Sequence, residues 1–325
     1  MTDRMTDRMT PGMTHGATNG RTQGVTLFRR LLRPVVLTLV LATAALVVPN
    51  SAVHTTDAEL VKLHTAEGVD AGPDMIWILG VGSDARPGQV MTRSRGDALQ
   101  LVGLNTRTGA AAAIGIPRDS VVTIPGRGRD RVNAALYYGG PELMGRAVGN
   151  LVGVQPDYVF VTRFPFFEDM ISDIGGITVT NPRAFSDPYL KPKGFEKGRI
   201  HLTGYEAMAF SRIRKSLPGG DFDRSANQQR TLRGIYARIR SQADRPGFIE
   251  RGILTVMQHT QTNLPAAELF RIAQAVAQVD GSKISTCVVQ GSIGSMGSAS
   301  VVFPFVSQAR RYGNDARKDA TIKKC

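Results

Sequence analysis

Short apolar runs recur through the middle of the chain, each bounded by glycine, proline or charge. Ile76-Trp77-Ile78-Leu79-Gly80-Val81 is followed by Ala98-Leu99-Gln100-Leu101-Val102 and Ala110-Ala111-Ala112-Ala113-Ile114-Gly115-Ile116. Apolar runs of roughly four to eight residues with such boundaries predict buried strands. Asn105-Thr106-Arg107-Thr108-Gly109 reads as a hairpin connection, with glycine supplying the turn. From Asn133 to Leu151 the apolar residues fall at helical spacing, and Gly139-Gly140-Pro141 divides that helix in two. A strand at Tyr158-Val159-Phe160-Val161, a helix from Phe164 to Ile174 ended by Gly175-Gly176, and a strand at Ile177-Thr178-Val179-Thr180 follow.

Residues 181–200, rich in Pro, Lys and Gly, read as a long surface loop. Thr203-Gly204-Tyr205-Glu206 fits a capping box that opens a helix through Phe210. The loop Ser216-Leu217-Pro218-Gly219-Gly220 precedes a helix from about Arg224 to Arg240. Further helices are expected near 247–260 and 265–279, then a strand near Cys287 and a last helix from Phe305 to Asn314. Strands and helices alternate, which places the chain in the α/β class with a layered sheet.

The N-terminal region has a different pattern. Residues 1–26 hold almost nothing apolar and read as disordered. Arg29, Arg30 and Arg33 then precede an uncharged run from Pro34 to Pro49, about 24 Å long as a helix. A membrane span needs about 30 Å, and Leu31 and Leu32 add to the run if Arg33 snorkels. The charge asymmetry puts the N-terminus in the cytoplasm and the rest outside. Ala42-Thr43-Ala44 also resembles a signal-peptide cleavage site; on either reading the bulk of the chain is exported. The expected organisation is a cytoplasmic tail (1–30), an anchor (31–49), a linker (50–73) and an extracytoplasmic domain (74–325).

The formal charge of +13 points to an anionic partner. Export argues against nucleic acid and leaves phosphorylated substrates or acidic lipids. Aromatics make up only 6% of the chain, so its core must lean on Ala, Val, Leu and Ile. The two cysteines, Cys287 and Cys325, can form a disulfide outside the cell or remain free thiols.

The charged residues flanking the apolar runs carry the candidate chemistry. Gly82-Ser83-Asp84-Ala85-Arg86, Arg95-Gly96-Asp97 and Pro117-Arg118-Asp119 would collect at one sheet edge, where ligands of open α/β sheets bind. Paired Asp residues can hold a hard cation, and arginine forks grip phosphate. Phe210-Ser211-Arg212-Ile213-Arg214 and Gly220-Asp221-Phe222-Asp223-Arg224 add further arginines. Arg224 and Gln228, four apart, share a helical face. Asp119 and Asp173 read as turn or capping residues, and Asn133 as a residue that orders Arg118 or, the preferred reading, caps the following helix.

With Val132-Asn133-Ala134-Ala135, Asp173-Ile174-Gly175-Gly176 and His201-Leu202-Thr203-Gly204-Tyr205-Glu206-Ala207, these elements resemble the LytR-CpsA-Psr family of cell-wall glycopolymer transferases across about 75–240. The resemblance implies a layered αβα domain with a mixed central sheet, preceded by one transmembrane helix. It implies transfer of a glycan phosphate from a polyprenyl-pyrophosphate carrier to peptidoglycan. Matched motif by motif, Asp84 and Asp97 would coordinate Mg2+, and Arg95, Arg118, Arg212, Arg214, Arg224 and Gln228 would surround the pyrophosphate. Asp97, Arg118 and Asp84 would be catalytic, with Arg86 an adjoining candidate.

The prenyl chain needs an apolar groove. Candidate walls are Leu136, Leu143, Val148, Leu151, Phe160, Phe164, Phe166, Phe167, Met170 and Met208. Three departures from the family pattern stand out. Asn227-Gln228-Gln229 replaces Arg-Gln-Gln, with Arg230 as a possible stand-in; Gly96 replaces Ser; and Val121-Val122 occupies a stretch where some members carry another Arg. A pyrophosphatase and a non-catalytic lipid-binding regulator are the alternative functions.

Overall fold

The computed structural model describes residues 57–64, 66, 74–243, 245–248 and 258–325. The expected tail and membrane anchor lie outside these residues, as do 50–56, 65 and 67–73 of the linker and most of the helix expected near 247–260. Among the described residues no helix is long and apolar enough to cross a membrane.

Strand β1 (Ala58–Lys62) comes from the segment read as linker, with Ala58 and Leu60 buried in strand alternation. Strands β2 (Met75–Ser83), β3 (Gly96–Asn105) and β4 (Ala111–Gly115) are the three apolar runs, paired antiparallel in sequence order. The Asn105 carboxamide oxygen accepts the Arg107 and Thr108 amides and closes the β3–β4 turn. A hairpin, β5 (Val121–Ile124) and β6 (Gly128–Arg131), leads into α1 (Ala134–Val152). Gly139 and Gly140 leave helical geometry inside α1, as expected before Pro141. Strand β7 (Tyr158–Arg163) and helix α2 (Phe164–Asp173) follow.

The expected surface loop is instead largely strand. β8 (Ile177–Asn181), β9 (Phe185–Asp187), β10 (Lys191–Phe195) and β11 (Gly198–Leu202) form two separate pairs, β8 with β11 and β9 with β10. Two buried phenylalanines explain this: the rings of Phe185, Phe195 and Phe210 lie 5.2–5.4 Å apart in a small second core. Helix α3 (Gly204–Arg212) opens with the expected capping box. Helix α4 (Asp221–Gln242) starts three residues before Arg224, at Asp221. Strand β12 (Thr260–Thr262), α5 (Ala266–Ala277), β13 (Ile284–Val288), the hairpin β14 (Gly291–Met296) and β15 (Ala299–Pro304), and α6 (Val306–Asp319) complete the fold.

The central sheet has seven strands in the order β12-β1-β7-β2-β3-β4-β13, mixing parallel and antiparallel pairs. Its two faces are chemically different because side chains alternate along each strand. Trp77, Leu79 and Val81 join Leu99, Leu101 and Ile114 on the face covered by α1 and α6. On that face Gly103 accommodates the Trp77 indole; a Cβ there would lie 2.7 Å from the ring. The opposite face carries Ile78, Gly80, Gly82, Ala98, Val102, Ala111 and Ala113, mostly small residues that do not fill the space beneath helices α2 to α5. Leu136, Leu143, Val148 and Leu151 belong to the α1 core, on the far side of the sheet from that space. These four proposed groove walls are therefore ordinary core residues.

Cys287 of β13 and Cys325 are joined by a disulfide, with a Cα separation of 5.4 Å, which ties the C-terminal residues to the sheet edge.

Candidate functional site

The small residues on the second sheet face leave a cavity of about 1890 Å³. Its walls are mainly apolar. Phe160, Phe164, Phe166, Phe167, Met170 and Met208, the other six proposed groove residues, all line it. Leu232, Ile235 and Ile239 of α4 and Leu269 and Ile272 of α5 extend the lining.

The ends of β2 and the start of β3 bring the two aspartates to one edge of this cavity. Ser83 pairs with Gly96 across a register shift, and its buried hydroxyl donates to the Met91 carbonyl at 2.7 Å. The Asp84 amide donates to the Arg95 carbonyl at 2.9 Å. Antiparallel pairing thus places Asp84, just after one strand, near Asp97, the second residue of the next. Both line the cavity, and Asp97 is only 8% exposed.

Arg118 leaves the turn after β4 and its Nη1 donates to Asp97 Oδ1. Burial pulls the Arg118 guanidinium toward losing its proton, but Asp97, Asp119 and Asp221 outweigh that and hold its pKa above the ordinary value. Arg118 therefore stays charged while largely desolvated.

Asp119 is a hub rather than a simple turn residue. Its Oδ2 accepts from Arg214 Nη1 at 2.8 Å and lies 3.7 Å from Arg118 Nε, while Oδ1 lies 3.7 Å from Arg131 Nη1. Asn133 does not cap α1. Its side-chain amide instead reaches Asp119 Oδ1 at 3.5 Å.

Arg212, the last residue of α3, places its guanidinium 4.2 Å from the centre of the Phe164 ring. Arg224 lies on the first turns of α4, 5% exposed and ion-paired with Asp221. Burial pushes the Asp221 carboxyl up and the Arg224 guanidinium down, with each opposing the other's shift. The Gln228 amide is committed to the scaffold: Nε2 donates to the Ser211 carbonyl and Oε1 accepts from Gln100. One helix turn thereby fastens α4 to both α3 and the sheet.

The structure brings Asp84, Arg86, Asp97, Arg118, Arg212, Arg214, Arg224 and Gln228 together in the cavity lining. Arg95 is exposed and lies outside that lining, although its backbone helps to hold Asp84. Arg230 also lies outside it; its Nη1 donates to Asn227 Oδ1 at 2.8 Å. Sequence reasoning gave no role to Asp221 and read Asp119 only as a turn or capping residue. The i,i+3 spacing of Asp221 and Arg224 was a usable sign of an ion pair, whereas nothing local distinguishes Asp119 from a turn aspartate.

No group of three or more His, Cys, Asp or Glu is arranged to hold a metal among the described residues. Asp84 and Asp97 are a two-carboxylate set. That suits a magnesium ion completing its shell with water and substrate phosphate, and does not suit a closed protein cage. The cavity as a whole offers an apolar volume for a long hydrocarbon and, at the sheet edge, forks for a phosphorylated head.

The family model described as the LytR_cpsA_psr family matches residues 45–316. The polyisoprenyl-teichoic acid–peptidoglycan teichoic acid transferase TagU of Bacillus cereus strain AH820 is 31% identical over 196 residues, 60% of this chain. The match spans 62% of that relative's length. The crystal structure of B. subtilis TagV superposes with a TM-score of 0.62 at 28% identity, covering 74% of this chain and 96% of TagV. A structure of TagT bound to LI-WTA gives 0.61 at 25% identity, covering 77% and 92% of the two chains.

Proposed function

The chain belongs to the LytR_cpsA_psr family, and from that membership we propose that it transfers a glycopolymer phosphate from a polyprenyl-pyrophosphate carrier to peptidoglycan. The observation that carries this reading is the joining of one long apolar cavity to a cluster of buried and half-buried arginines and aspartates. A prenyl chain would occupy the apolar part, with its pyrophosphate among Arg118, Arg212, Arg214 and Arg224. The relative named as a teichoic acid transferase supports the reaction class.

The acceptor hydroxyl oxygen forms a bond to the phosphorus that bears the glycan while the bridging P–O bond to the prenyl phosphate breaks. Prenyl phosphate leaves, and the acceptor proton passes to one carboxylate, Asp84 or Asp97. Guanidinium groups stabilise the charge on the phosphoryl oxygens, and their planar forks match two oxygens at once. Because Arg118 and Arg214 are already held by Asp97 and Asp119, their orientation is set before substrate arrives. Asp84 and Asp97 would hold a magnesium ion, whose charge when bound polarises a phosphoryl oxygen.

The segment 31–49, read as a membrane anchor with its N-terminus inside, would keep the domain beside the lipid carrier. The test is incubation of the full-length protein with a polyprenyl-pyrophosphate-linked saccharide, magnesium and peptidoglycan fragments. Mass-detected glycan phosphate on the fragments supports transfer. Free glycan phosphate without an adduct would mean that water is the acceptor and would overturn the transferase reading.

A further inference from the structure

Tyr189 is 89% exposed, yet the loop that carries it is closely tied down. Asp187 Oδ1 accepts both the Tyr189 and Leu190 amides at 3.0 Å. The Tyr205 hydroxyl donates to the Leu190 carbonyl at 3.0 Å, and Ser216 Oγ donates to the Ser186 carbonyl at 2.5 Å. Lys191 Nζ reaches Glu206 Oε1 on α3, also at 2.5 Å. Ser216 follows Arg214 by two residues, so this strap is joined directly to the arginine cluster.

Single exposed aromatics are common on protein surfaces. This one differs in place: Tyr189 lines the same cavity as Arg212 and Arg214, on a strap whose Asp187 carboxylate holds the Tyr189 amide and whose Ser186 carbonyl is held by the Ser216 hydroxyl, and Lys215 lines that cavity too. An aromatic face flanked by charged and hydroxyl groups suits a ligand that is apolar on one side and rich in hydroxyls at its edge. A pyranose ring has that character. Holding the strap in place beforehand limits the ordering cost of binding on its surface.

We propose that Tyr189 is the stacking platform of a saccharide subsite at the rim of the cavity. This rests on the transferase reading above, in which a sugar joined to the pyrophosphate must emerge beside the arginines. The sugar can come from the lipid-linked donor or from the peptidoglycan acceptor; the ligand chemistry is the same.

The test compares full-length wild type with Tyr189→Ala and Tyr189→Trp. Binding is measured for polyprenyl pyrophosphate with and without a linked saccharide, and transfer is measured against peptidoglycan concentration. Loss of one stacking contact should weaken saccharide recognition by about five- to tenfold. A donor subsite requires that Tyr189→Ala weaken the saccharide-bearing lipid by that factor, leave the bare lipid within about twofold, and be rescued by Trp. An acceptor subsite requires the loss in the peptidoglycan KM, with both lipids unchanged. If Tyr189→Ala matches wild type in donor affinity and acceptor KM, the subsite is refuted while the transferase reading stands. If wild type binds neither lipid, both fall.

Discussion

Arg214 Nη1 lies 2.8 Å from Asp119 Oδ2, joining residues 95 positions apart in sequence. The same carboxylate faces Arg118 and Arg131, so a residue that does not itself line the cavity fixes the direction of two cavity-lining arginines. Replacing Asp119 by Asn should leave those guanidiniums under-compensated. Arg214 is 38% exposed, so water relieves part of the loss. The expected destabilisation is about 2 kcal/mol, below the roughly 3–5 kcal/mol of a sealed pair. Urea unfolding measures it, and a double-mutant cycle with Arg214→Gln should return a coupling of at least about 0.5 kcal/mol.

Val102 faces the cavity on β3, five residues beyond Asp97 and therefore about 17 Å along the strand. Val102→Trp should fill the distal cavity without touching the charged edge. Long-chain polyprenyl pyrophosphate should then bind at least about tenfold more weakly, a loss of about 1.4 kcal/mol, while a short-chain prenyl pyrophosphate binds as before. Equal losses for both lengths would show that the chain does not run along β3.

Glu206 closes the cap of α3 and pairs with Lys191. Burial pushes its carboxyl up, but the Lys191 bond and the Thr203 amide outweigh this and leave its pKa below the ordinary 4.5. The unfolded chain therefore binds the proton more readily, and this contribution to stability is present above pH 4.5. It is lost as pH falls through the lower folded value. Glutamine can still close the capping box, so Glu206→Gln removes chiefly the partly exposed Lys191 pair and should cost about 0.5 kcal/mol at neutral pH, with the difference from wild type shrinking in acid. Denaturation midpoints across an acid series decide this.

The disulfide between Cys287 and Cys325 closes a loop with a sequence separation of 38. Cys325→Ser should lower stability by about 3–4 kcal/mol on the chain-entropy estimate. Neither cysteine lines the cavity, so lipid affinity of the folded variant should match wild type. Parallel unfolding and binding curves test both parts.

Much of this arrangement was legible in the chain. The three apolar runs became adjacent strands, and antiparallel register carried Asp84, Asp97 and Arg118 to one edge, as their flanking positions implied. The capping box and the broken helix at Gly139-Gly140-Pro141 were also local signals with local outcomes. The groove walls were only partly legible, because Leu136 and Phe166 look equally apolar in sequence. Which face of the sheet each meets depends on tertiary packing. Residues 181–200 misled because their polar composition concealed Phe185 and Phe195, whose burial requires Phe210 from a later helix. Asp119 was missed for a similar reason: its partner Arg214 comes from a distant segment.

The most direct test compares equilibrium binding of polyprenyl pyrophosphate and the corresponding polyprenol by the full-length protein. The pyrophosphate form should bind at least about 100-fold more tightly, equivalent to about 2.7 kcal/mol. That preference should collapse in Arg118→Gln and Arg214→Gln variants that remain folded. Equal affinity for the two lipids, or a preference that survives both substitutions, would contradict a pyrophosphate site at the arginine cluster.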